Sequence, residues 1–198
     1  PMRHPETPSD SSVVEQMRRQ LREDLRPYFV ELAGCNSTPE LFDHPTYRRL
    51  KAKFDRIFQT PEEGDFSCAA VARKDSYRIA AWNLERGIHY DGQLEAFQQD
   101  PYLSQADILL LTETDVGMAR SGNRNIARDL ARELGLHYAF SPCYINLAKG
   151  SGVEFDAAGE NESGLHGNAI LSRYPLSKVR SVFLKNGKDK MKGREKRL

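Results

Sequence analysis

Cysteine is scarce in this chain. Cys35, Cys68 and Cys143 form an odd, widely spaced set. That argues against a disulfide framework and for a reducing, cytoplasmic setting. No two of them have the spacing of a zinc site. Long apolar runs are missing too: none approaches the ~18 residues of a membrane-spanning helix. The stretch from Pro1 to Ser12 is polar and has no apolar signal core, and Pro1 ahead of Met2 suggests a clipped chain or a tag remnant. There is no Gly-x-Ser-x-Gly elbow, no P-loop, no Gly-x-Gly-x-x-Gly and no His-Glu-x-x-His. The five histidines are scattered. Serine-nucleophile, nucleoside-triphosphate and zinc chemistries all lose ground. Internal repeats and low-complexity segments are absent as well.

Neither sign of charge dominates. The 198 residues carry 29 Lys and Arg against 28 Asp and Glu, a net charge of +1. The balance is uneven along the chain. Lys185 to Leu198 holds seven basic and two acidic residues, leaving 22 basic and 26 acidic elsewhere. The body is mildly acidic. The tail could reach a phosphate-rich partner or lie solvated. With 39% hydrophobic and 29% charged residues the composition is globular, which excludes collagen-like, coiled-coil and wholly disordered chains. The length suits one domain, with or without a helical extension, and can bury a core unaided.

The pattern along the chain changes twice. From Ser11 to about Thr60 the apolar period is helical. Val13, Val14, Met17, Leu21 and Leu25 make one run, which Arg26-Pro27 is expected to end. Tyr28 to Ala33 forms a short segment stopping near Gly34. Thr38-Pro39-Glu40 reads as a cap with proline in the first turn. Tyr47, Leu50, Phe54, Ile57 and Phe58 then form an apolar stripe, with Arg48, Arg49, Lys51, Lys53 and Arg56 opposite. A basic amphipathic helix of this kind can meet an acidic partner or a membrane, or simply solvate its charges. Pro61 to Asp65 reads as a linker-like break.

Beyond the break, strand and helix patterns alternate. Tyr77–Trp82, Ile108–Leu111, His137–Phe140, Asn168–Ser172 and Val179–Leu184 are strand-like. A short helix is expected at Leu94 and Phe97, after an Asp91-Gly92 turn. A clearer one runs through Ile126, Leu130 and Leu134 and stops at Gly135. Ala148 to Ser163 reads as an acidic loop. Such alternation predicts an α/β class.

Two polar clusters follow apolar strands: Trp82-Asn83-Leu84-Glu85 and Leu111-Thr112-Glu113-Thr114-Asp115. Open α/β sheets build their sites at strand ends of this kind. One or two carboxylates with an amide oxygen can hold a hard cation such as Mg²⁺, which keeps several waters.

Taken together the motifs are more specific than either cluster. Arg78-Ile79-Ala80-Ala81-Trp82-Asn83-Leu84-Glu85 is followed by Ala106-Asp107-Ile108-Leu109-Leu110-Leu111-Thr112-Glu113-Thr114-Asp115. Then comes Gly164-Leu165-His166-Gly167-Asn168-Ala169-Ile170-Leu171-Ser172-Arg173-Tyr174-Pro175. In this order and at these distances, the set resembles the endonuclease/exonuclease/phosphatase superfamily, over roughly Tyr77 to Leu184. The resemblance implies a deoxyribonuclease I-like fold, a four-layer α/β/β/α sandwich. It also implies a Mg²⁺- or Mn²⁺-dependent phosphoesterase that attacks a phosphodiester or phosphomonoester with an activated water. By resemblance, Asn83 and Glu113 are catalytic. Glu113, Asn83 and Glu85 hold the metal, while Arg120, His166 and Asn168 contact substrate.

The family pattern continues with a catalytic His, a Gly-Asp-x-Asn motif and a closing Asp-His pair, none of which occurs here. The expected organisation is therefore a helical extension over residues 1–60, a linker over 61–76, and the first half of the sandwich over 77–198. The second half would come from a missing C-terminal segment or from a partner, and this piece alone would be inactive. The acidic body favours a small or lipid-like phosphate ester over nucleic acid. The alternative is a non-catalytic interaction module on the same fold.

Overall fold

The computed structural model describes residues 15–68, 71–150 and 152–182. Val13, Val14 and the basic tail lie outside them. Helix covers residues 15–33 almost without interruption. Arg26-Pro27 does not end it. Pro27 sits in the first turn of a 3₁₀ segment, Arg26–Tyr28, where its missing N–H is not needed. A π-helical turn, Leu21–Leu25, precedes that segment and an α-helical turn, Phe29–Ala33, follows it.

Two further helices complete the extension. Thr38–Asp43 is capped by Ser37, whose hydroxyl accepts from the Glu40 amide, with Pro39 in the first turn. Pro45–Gln59 buries Tyr47, Leu50, Phe54 and Ile57, as its stripe predicts. Its basic face is largely paired. Arg48 meets Asp43 at 2.7 Å, Lys51 meets Asp55 at 2.5 Å and Lys53 meets Asp24 at 2.8 Å.

Five strands form one sheet: β1 (Glu62–Asp65), β2 (Ile79–Arg86), β3 (Ile108–Val116), β4 (His137–Ile145) and β5 (Leu165–Ser172). The spatial order is β1-β4-β5-β3-β2. Only β2 and β3 are parallel; the other neighbours run antiparallel. The crossover between the parallel strands is the Tyr90–Gln99 helix, as a parallel pair requires. Asp91-Gly92 lies inside its first turn rather than before it. The Ile126–Leu134 helix ends with Gly135 at φ 64°, ψ 49°, the left-handed stop read from the sequence.

The sequence patterns also missed strand lengths and one strand. β1 occupies the expected linker: Glu62 pairs with Phe140 and Asp65 with His137. Four residues, three of them acidic, carry too little apolar alternation to be read as a strand. The described part of Val179–Leu184, up to Val182, is not a strand.

The two faces of the sheet differ. On one, Leu84, Leu109, Leu111, Tyr138, Phe140, Ala169 and Leu171 pack with Phe97, Ile126, Leu130 and other residues of the two helices. The N-terminal helices form a second cluster that takes in Ile145 and Leu147 from the end of β4 and its exit. The other face carries Ile79, Leu110 and Ile170, which are 60%, 40% and 42% exposed. Period-two alternation puts these side chains opposite the helices. Among the described residues no helix is long and apolar enough to cross a membrane.

One buried carboxylate joins the extension to the sheet. Glu62 Oε1 accepts from Arg18 Nη2 at 2.8 Å, Asn125 Nδ2 at 2.7 Å and the Tyr138 hydroxyl at 2.7 Å. Asn125 also caps the Ile126–Leu134 helix. Burial pushes the Tyr138 phenol up, and the Glu62 carboxylate adds to that shift. Replacing Glu62 by Ala strands three donors. The expected loss is about 3 kcal/mol in urea unfolding; a loss near zero would show that the extension is held by its apolar contacts alone.

Candidate active site

β2 and β3 run side by side in regular register from Ile79↔Ile108 to Asn83↔Thr112, and then β2 bulges, with Leu84 and Glu85 opposite Glu113 alone. Pairing resumes at Arg86↔Thr114. β3 bulges at the same place against β5, between Leu111↔Ala169 and Thr114↔Gly167. Bulges re-aim side chains and often lie beside active sites. The backbone shows the strain. Glu85, Arg86 and Glu113 have φ of 46°, 69° and 54°, in the left-handed region that non-glycine residues seldom adopt. Gly87 follows, also at positive φ. A Cβ there would come within 2.5 Å of the Ile126 side chain, so the turn out of β2 needs glycine.

The irregularity brings Asn83 and Glu113 together: Asn83 Nδ2 donates to Glu113 Oε1 at 3.0 Å. The other end of the amide is also held, because Asn83 Oδ1 accepts from the Glu85 backbone N–H at 2.9 Å. Both carbonyl lone pairs are not consumed by one donor. Asn83 and Glu85 are exposed and Glu113 is half-buried. Asn168 is exposed on β5, opposite the β3 bulge, on the same face as Ile170. The structure therefore gathers Asn83, Glu113 and Asn168 on adjacent strands. Glu85 joins through its backbone. All of these lie within strands rather than just past them, since β2 and β3 extend further than their apolar runs.

Arg120 and His166 are arranged differently. The Arg120 side chain is only 2% exposed. Its Nε and Nη2 donate to Asp115 Oδ2 and Oδ1 at 2.8 and 3.0 Å, and its Nη1 donates to Glu154 Oε1 at 3.0 Å. Burial works against the charge of Arg120, but hydrogen bonding and attraction to Asp115, with Glu154 behind them, more than offset it and raise its pKa. His166 Nδ1 lies 2.7 Å from Asp115 Oδ1, and its ring stacks on Tyr144 at 4.6 Å. Ser121 adds a weaker contact to Asp115 at 3.3 Å.

Sequence reasoning overlooked Asp115 and Glu154 as partners. The one available signal was the Asp two residues after Glu113, the spacing that returns a strand to the same face when no bulge intervenes. Glu154, within the segment read as an acidic loop, is turned inward. It also meets Arg86 Nη1 at 3.2 Å.

Mg²⁺ is held by one or two protein carboxylates, with water and phosphate oxygens completing the sphere. The Glu113 carboxylate and the Asn83 amide oxygen are a donor set of that kind. Among the described residues there is no group of three or more His, Cys, Asp or Glu side chains arranged to hold a metal. Any ion here would thus depend on ligands beyond these side chains.

The amide and the carboxylate are thus paired across bulged parallel strands of a mixed α/β sheet. The chain belongs to the endonuclease/exonuclease/phosphatase family, whose model matches residues 80–197. No curated protein and no solved structure matches the chain. The family match suggests a phosphoesterase or nuclease type of activity.

Asp115→Asn removes the partner of a buried guanidinium. The expected destabilisation is about 3–5 kcal/mol, measured by chemical unfolding. An effect below about 1 kcal/mol, the scale of an exposed pair, would show that water reaches Arg120.

Proposed function

We propose that this chain carries the metal-binding side of a phosphoesterase site, and that the hydrogen-bonded pair Asn83–Glu113 is its centre. The observation that carries the reading is that pair, set at neighbouring bulges on the sheet face opposite the Tyr90–Gln99 and Ile126–Leu134 helices, in a segment that matches the family. Glu113 would hold Mg²⁺ or Mn²⁺, with Asn83 holding the metal or a neighbouring phosphate. Bound there, the ion would polarise a phosphoryl oxygen and offset charge on the leaving oxygen. Asn83 orients the Glu113 carboxylate through Nδ2, and the Glu85 N–H fixes the Asn83 rotamer. Glu85 could add its carboxylate, and Asn168, from the next strand, could contact the ester.

The exposed Ile79, Leu110 and Ile170 side chains support a further step. A second sheet packed on this face would bury them. That would produce the four-layer sandwich and bring the remaining catalytic groups to Asn83 and Glu113. A small or lipid-like phosphate ester fits the mildly acidic body better than nucleic acid. The non-catalytic reading leans on the basic helix, and the pairing of Arg48, Lys51 and Lys53 with acidic neighbours weakens it.

The test is Mg²⁺-dependent hydrolysis by protein carrying both sheets. Glu113→Ala should lower kcat by about 100-fold or more while leaving the melting transition in place. Unchanged turnover would remove Glu113 from the mechanism. In a panel of plasmid DNA, phospholipid and small phosphate esters, preferential DNA cleavage would overturn the substrate class.

A further inference from the structure

A phosphoesterase needs a cation to orient its anionic substrate. Arg120 is the cation that the family-like segment suggests, yet its guanidinium is buried and its N–H groups are engaged by Asp115 and Glu154. A phosphate could reach it only by displacing a buried carboxylate.

Arg86 stands at the water boundary instead. It ends β2, three residues beyond Asn83, and pairs in register with Thr114, the neighbour of Glu113. Its side chain is 35% exposed. One edge of its guanidinium is held: Nη1 lies 3.2 Å from Glu154 Oε1, the same oxygen that accepts from Arg120 Nη1 at 3.0 Å. A guanidinium offers five N–H donors in a planar fork, so a contact on one edge leaves donors for a bidentate anion. Holding that edge also removes rotamer freedom before the ligand arrives.

Two details suggest that the placement is built. Arg86 has φ 69°, a conformation that persists only where the surrounding structure over-determines it. Glu154 is drawn from the loop after β4 into a buried position where it links Arg86 to Arg120, and through Arg120 to Asp115. Glu154 Oε1 is thus shared between the two guanidinium groups, Arg120 Nη1 and Arg86 Nη1.

We propose that Arg86 is the phosphate-binding guanidinium of this site and that Glu154 is its positioning residue. The assignment rests on the phosphoesterase reading for its biological meaning, but phosphate binding can be measured without turnover.

Inorganic phosphate is titrated by calorimetry into the chain and into Arg86→Gln, Arg86→Lys and Glu154→Gln, at fixed ionic strength. Thermal melting of each variant checks the fold. Arg86→Gln should weaken phosphate binding by about tenfold or more, as expected for a charge-assisted fork. Arg86→Lys should fall between, since a point charge replaces the fork. Glu154→Gln should weaken binding by about threefold, through Arg86 alone, and lose that effect in the Arg86→Gln background.

Equal phosphate affinity in the parent chain and Arg86→Gln overturns the proposal. So does an absence of binding to the parent chain at millimolar phosphate. If Arg86→Gln does not fold, Arg86→Lys decides: unchanged affinity there counts against the fork. Arg86-dependent phosphate binding in a protein that hydrolyses no phosphate ester supports this site and removes the phosphoesterase reading, so the two failures are separable.

Discussion

Asp115 has no exposed surface, and a carboxylate in that position must be met by charge and hydrogen bonds from every side it touches. Two segments supply them directly, and two more stand behind. The 3₁₀ turn Ala119–Ser121 brings Arg120 and Ser121, β5 brings His166, and the loop segment Gly152–Asp156 brings Glu154 behind Arg120. Arg86 closes the set from the end of β2. Four strongly charged side chains, two of each sign, thereby fix where three loops leave the sheet. The bulged strand ends that carry Asn83 and Glu113 sit directly beside this cluster, and their unusual φ angles are tolerable because the neighbouring backbone is held.

The same arrangement separates structure from reactivity. Charges that are buried and mutually satisfied, such as Arg120 and Asp115, contribute rigidity. Groups left at the surface of the same strands, such as Asn83, Glu113 and Arg86, are the ones a phosphate or a metal could reach. Positive φ at Glu85, Arg86 and Glu113 marks this boundary in the backbone. The Tyr90–Gln99 and Ile126–Leu134 helices back the opposite face, so the site looks out over an apolar surface that nothing among the described residues fully covers.

Much of the fold was legible because its signals are local. The stripe Tyr47, Leu50, Phe54 and Ile57 required a helix with one buried face, and Gly135 required a left-handed stop. Ile108–Leu111 announced a strand. Its continuation to Val116 was not legible, because Thr112 to Asp115 is polar and its order comes from pairing with β2 and β5. β1 was hidden for the same reason. Glu62 is buried by three donors that lie 44 to 76 residues away in sequence, and nothing local in Glu62 to Asp65 signals a strand.

Of the site, sequence determined the family membership. The order and spacing of three motifs pointed to the endonuclease/exonuclease/phosphatase family, and the resemblance singled out Asn83 and Glu113, which the fold brings into hydrogen-bond contact. Tertiary structure alone decided which charges face inward. Arg120 and Glu154 are 34 residues apart, and nothing in their local sequence says that they pair. Burial and pairing are properties of the folded sheet and its loops. They turn one arginine into a buried strut and leave another, Arg86, part-exposed at the end of the strand that carries Asn83.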